Sequence, residues 1–76
     1  MFDMENVRKL PTLRELRKRK FLEIPELARI VDARENTVYR WERGEAAPRL
    51  LEAMKISGAL GVRVDEINWW PRGVAF

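Results

Sequence analysis

Leu27-Ala28-Arg29-Ile30-Val31-Asp32-Ala33-Arg34-Glu35-Asn36-Thr37-Val38-Tyr39-Arg40-Trp41-Glu42-Arg43-Gly44 is the stretch whose reading decides the fold. Leu27, Ala28, Ile30 and Val31 recur at the spacing of one helix face. Pro25 sits where a first helical turn lacks an intrahelical partner for its N–H, so this helix starts near Ile24. Asp32-Ala33-Arg34 interrupts the pattern, being too polar to extend the stripe and too short for a long loop. A second periodic segment follows from Glu35 to Arg43, with Val38 and Trp41 inward and Gly44 as the residue that ends it. Two short helices joined by three or four residues, with small Ala28 where they cross, have the geometry of a helix-turn-helix. Leu27, Val31, Ala33, Val38 and Trp41 must then converge under the turn. Many tight helical hairpins share this spacing, so the flanking segments matter.

Upstream, Thr12-Leu13-Arg14-Glu15 reads as a capping box that opens a helix with Leu13 and Leu16 on its apolar stripe. Phe21 is expected to cover the end of that helix. Residues 1–11 show no periodicity and read as an N-terminal arm ending at Pro11. Downstream, Pro48 announces a helix from Arg49 to Leu60 that buries Leu50, Met54, Ser57 and Leu60 and closes at Gly61. Gly58 in its middle costs about 1 kcal/mol relative to alanine. A fifth helix is expected over Val64–Trp69, stopping before Pro71. The predicted architecture is an all-α, five-helix bundle: an arm over 1–11, a helix-turn-helix domain over 12–69 and a C-terminal tail over 70–76.

Composition narrows the chemistry. The 76 residues include neither cysteine nor histidine. That excludes disulfides, thiolate nucleophiles, imidazole bases and the usual zinc ligands. The one serine, Ser57, falls on the buried side of its helix, so no enzyme, cofactor or metal is expected. The net charge is +3. Its whole excess lies in residues 1–43, where 11 basic groups face 8 acidic ones, most densely in Arg14-Glu15-Leu16-Arg17-Lys18-Arg19-Lys20. The longest uncharged run, Ile56 to Val62, has 7 residues against the ~20 that span a bilayer. Neither a membrane segment nor a signal peptide is read, and a cytoplasmic protein is the expectation.

From Leu13 to Ile67 the chain resembles the Cro/C1-type (XRE) helix-turn-helix family. The resemblance rests on Leu13-Arg14-Glu15-Leu16-Arg17, Leu27-Ala28, Thr37-Val38-Tyr39-Arg40-Trp41-Glu42-Arg43-Gly44, Pro48, Leu60-Gly61-Val62 and Asp65-Glu66-Ile67, spaced without a gap. The run from Thr37 to Gly44 is its most specific part. The resemblance implies a lambda-repressor-like fold whose third helix enters the major groove of double-stranded DNA, in a transcriptional regulator, most often a repressor. Carried over position by position, it assigns base reading to Glu35, Asn36, Tyr39 and Arg40. Asn36 suits adenine, Arg40 guanine and Glu35 the cytosine amine. It assigns backbone contacts to Arg34, Thr37, Arg43 and Arg49, with Lys18 and Lys20 adding charge. It also implies a structural ion pair between Arg17 and Glu42.

Four departures qualify the resemblance. Glu23-Ile24 replace the hydroxyl residue and glutamine that open helix 2, where a helix N-terminus grips phosphate. Asp32 stands in place of the turn glycine, and Arg34 in place of the hydroxyl cap of the recognition helix. Glu45-Ala46-Ala47 replace a basic loop. Weak, salt-sensitive binding by a monomer is therefore expected. The alternative reading is a protein-binding module, an antitoxin or anti-repressor, that keeps the fold but pairs with a toxin or other protein. Trp69 and Trp70 cannot both enter one small core: either one folds back over helix 1, or the pair forms a contact of a homodimer or of such a partner, which is the preferred reading.

Overall fold

The computed structural model describes residues 10–71. Most of the 1–11 arm and of the 70–76 tail therefore lies outside the described residues. Among the latter are four α-helices, α1 (Leu13–Arg19), α2 (Ile24–Ile30), α3 (Glu35–Arg43) and α4 (Leu50–Leu60), followed by a single 3₁₀ turn, Val64–Glu66.

The hydroxyl half of the expected capping box is formed at α1, where Thr12 Oγ1 accepts a hydrogen bond from the Glu15 amide at 3.2 Å. Leu13 and Leu16 are buried as expected. Phe21 is not a lid. It has a left-handed backbone, φ 55°, and is 91% exposed. That conformation turns the chain toward α2 and directs the ring outward, and Leu22 packs on the core instead.

At α2 the Glu26 carboxylate accepts from the Glu23 amide at 3.0 Å, and Pro25 lies in the first turn. Ile24, Leu27, Ala28 and Val31 are buried. Ile30, expected with them, is 53% exposed. The four buried positions already follow an i, i+3, i+4, i+7 stripe, and Ile30 falls outside it. Asp32 takes the left-handed conformation of the missing turn glycine, φ 57°. The Ala33 amide then donates back to the Ala28 carbonyl at 2.8 Å and closes the turn.

The predicted bounds of α3 match the observed ones. Val38 and Trp41 are its buried anchors, and Gly44 ends it at φ 75°. The phase of α4 differs from expectation. Ser57 and Leu60 face inward, but their companions are Ala53 and Ile56, while Leu50 and Met54 are 71% and 53% exposed. The segment Leu50-Leu51-Glu52-Ala53-Met54 is apolar on every side but one, so hydrophobicity alone does not fix its rotation. The fifth helix is absent as such. After the 3₁₀ turn Ile67 is extended and only 2% exposed. Asn68 forms a parallel bridge with Thr12, its amide donating to the Pro11 carbonyl at 2.8 Å. This pairing stops further coiling.

Leu27, Val31, Val38, Ile56 and Leu60 form the fully buried centre. Helix α2 lies against both α3 and α4, and α1 against α3. The helix-turn-helix thus rests on α4 and is braced by α1. No described helix is long and apolar enough to cross a membrane.

Candidate nucleic-acid interface

Helix α3 is divided sharply between its faces. Val38 is fully buried and Trp41 nearly so, and these two fix the rotation of the helix. The opposite side then presents Glu35, Asn36, Tyr39, Arg40 and Arg43 to solvent, with Thr37 half-buried at the edge. Asn36 and Arg40 are one turn apart on that outer face. Tyr39 is 46% exposed, so its ring is held on one side and open on the other. Arg34 is exposed at the N-cap and gives no side-chain hydrogen bond to the helix end.

The rigidity of this surface comes from beneath. Arg17 Nε and Nη2 donate to the two Glu42 carboxylate oxygens at 2.6 and 3.1 Å, and Nη1 donates to the Leu22 carbonyl at 2.8 Å. One guanidinium thus ties α1, the α1–α2 turn and α3 together. The hydrogen bond to Glu42 holds the Arg17 pKa above its ordinary value, against the opposing effect of burial. Both side chains are nearly closed to water, so the pair braces the helix from beneath and meets solvent only in the wall of the groove beside α3.

The flanks carry mixed charge. A shallow groove of about 500 Å³ runs beside α3, lined by Arg14, Glu23, Pro25, Tyr39 and Arg43, with the Arg17–Glu42 pair in its wall. Arg14 was not singled out by sequence. Its signal was its place one turn before Arg17, whose pairing with Glu42 brings that side of α1 to α3. Lys18 lies in a neighbouring recess with Arg14, Glu15 and Pro71. Lys20 is set differently: its ammonium lies over Gly61 at the C-terminus of α4, where a cation suits the helix dipole. Arg43 is paired with Glu45 at 3.2 Å, both well exposed. Arg49 is exposed at the N-cap of α4, its amide donating to the Glu52 carboxylate at 2.9 Å.

The tryptophans separate. Trp69 packs on the core and its indole donates to the Val64 carbonyl at 3.0 Å. Trp70 remains 39% exposed beside Leu50. Ser57 is buried, its hydroxyl donating to the Met54 carbonyl at 2.9 Å, so it is a core residue. No cluster of metal-binding side chains occurs among the described residues.

A two-helix unit of this geometry, with an exposed polar face on its second helix, defines a helix-turn-helix domain. The helix-turn-helix family model matches residues 13–67, and the chain belongs to this Cro/C1-type (XRE) family of DNA-binding regulators. No curated protein and no solved structure matches it significantly.

Proposed function

We propose that the protein is a sequence-specific, double-stranded-DNA-binding transcriptional repressor that acts in the cytoplasm and reads the major groove with α3. The observation that carries this reading is the exposed pair Asn36 and Arg40 on a helix locked by Val38, Trp41 and the Arg17–Glu42 clamp. Their fork-shaped donor and acceptor groups suit adenine and guanine edges, and little in the fold otherwise requires them. Glu35 and Tyr39 complete the base-reading set. Arg34, Thr37, Arg43 and Arg49 are the backbone contacts, and Arg14 joins Lys18 beside them. Lys20, drawn toward α4, contributes general positive potential. The protein works as a homodimer, as two-fold DNA sites favour.

A second reading, a protein-binding module facing a toxin or anti-repressor, draws on one observation. Carboxylates occupy places where phosphate contacts would lie: Glu23 and Glu26 at the N-terminus of α2, and Glu45 on Arg43. Selection from random duplex DNA at low and moderate salt separates the two. Enrichment of a palindromic site supports the DNA reading, and no enrichment even at low salt overturns it in favour of the protein-binding one.

A further inference from the structure

Three arginines line the groove beside α3, yet little of their charge is free. Arg17 is taken up by Glu42 in the groove wall, and Arg43 is paired with Glu45. One cation, Arg14, and one carboxylate, Glu23, remain in the same groove. Both are exposed, and neither belongs to an ion pair among the described residues. The hydrogen bond from Glu42 is the main cause of the raised Arg17 pKa, and the nearby charge of Glu23 raises it further. Glu23 therefore turns its carboxylate inward, toward the arginines of the groove.

From this arrangement we infer that Glu23 is a built-in competitor for a DNA phosphate. Its carboxylate holds the place beside Arg14 that a phosphate oxygen would take, and so limits how tightly the domain binds DNA without altering which sequence it prefers. The inference deepens the proposed function and rests on its DNA reading.

The physical argument has two parts. An arginine bonds a phosphate strongly, but Arg14 can do so fully only once the neighbouring carboxylate has swung away or been screened. Glu23 is exposed at the start of α2, so its side chain has solvent to move into. A phosphate is the same in every sequence, so a group that opposes it weakens all duplexes alike. Base preference is then left to the exposed face of α3. A carboxylate at this position also suits the dipole of α2. That structural role predicts a change in stability alone, which makes the two roles separable.

Fluorescence anisotropy of the full chain tests the inference, on a duplex selected from random DNA and on an unrelated duplex, at several salt concentrations. Glutamine keeps an acceptor oxygen at position 23, and the backbone amide that donates to Glu26 is untouched. Glu23→Gln should tighten binding to both duplexes by a similar factor, about tenfold at low salt. Its log–log salt slope should steepen by about one contact, with base preference unchanged. The matching control is Asp65→Asn, which also removes one negative charge but at an exposed residue outside the groove, paired with Arg63. It should tighten binding no more than about twofold. In an Arg14→Ala background the gain from Glu23→Gln should fall below about twofold, because the cation that it releases is gone.

The competitor is overturned if Glu23→Gln binds no more tightly than Asp65→Asn, or if it merely lowers the Tm, as a helix-end role requires. A gain that persists without Arg14, or that changes base preference, overturns it as well. The two readings fail separately. A wild type that selects a site, with no gain from Glu23→Gln, refutes only the competitor. A chain that selects no site, but grips any duplex more tightly as Glu23→Gln than as Asp65→Asn, refutes only sequence-specific reading. Absence of duplex binding by every form at low salt overturns both.

Discussion

Arg17 and Glu42, 25 positions apart in sequence, form a two-pronged ion pair whose third guanidinium nitrogen holds the Leu22 carbonyl. Their side chains are 9% and 6% exposed, so neither charge has water to fall back on. Removing one partner strands the other. Glu42→Ala is therefore expected to destabilise the domain by about 3 kcal/mol. In a domain this small that lowers the melting temperature by roughly 12–24 °C. Thermal denaturation followed by circular dichroism measures it, and a drop of under about 3 °C would remove the clamp from the account.

Arg40 stands clear of the core on the face opposite Val38 and Trp41. Arg40→Ala should leave the Tm within about 2 °C and reduce affinity for the selected site by about 1–3 kcal/mol, relaxing preference at one base position. Fluorescence anisotropy on the selected site and its single-base variants reads both effects. Equal affinity and equal selectivity would take Arg40 out of the reading set.

Glu45 pairs with Arg43 at the end of α3. Glu45→Ala should free that arginine for phosphate, tightening binding a fewfold at low salt. The log–log salt dependence should steepen by about one contact. Titrations at several salt concentrations measure the slope. Weaker binding by the variant would mean that the acid itself is part of the contact surface.

The chain has no histidine and no cysteine. No side chain with an ordinary pKa changes charge between about pH 5.5 and 7. DNA affinity at fixed ionic strength should accordingly be flat over that interval, while remaining steep in salt. A tenfold change across it in anisotropy would place a strongly shifted carboxylate in the interface.

Phe21 and Asp32 both adopt left-handed backbone conformations without being glycine. For aspartate the strain is partly relieved by its short polar side chain, but for a bulky aromatic it is not. Phe21→Gly should therefore stabilise the domain by about 0.5–1 kcal/mol, Asp32→Gly by less. Chemical denaturation ranks the two, and a destabilised Phe21→Gly variant would show that the ring has a partner.

The helix-turn-helix unit is legible in the sequence because its signals agree. In α3, Val38, Trp41 and Gly44 each point to the same rotation and the same end. In α4 they conflict, since leucine, methionine and isoleucine occur around most of the helix. Bulk favoured Leu50 and Met54 as core residues, and the smaller Ala53 went inward instead because it lets α4 approach closely. The last segment misled for another reason. Val64 to Trp69 has only Glu66 as a strong helix former, and the Asn68–Thr12 pairing that holds it extended is a contact between distant residues that no local pattern announces. Arg14 was hidden in a uniform basic run, and only the partner of Arg17 reveals which of those cations reaches α3.

The Thr12–Asn68 bridge fastens the start of the first helix to the end of the last turn, so the described chain enters and leaves the domain at one place. Such a module can be spliced into a surface loop of a host protein without prising the host apart. It can also be rejoined end to end and reopened at another exposed turn.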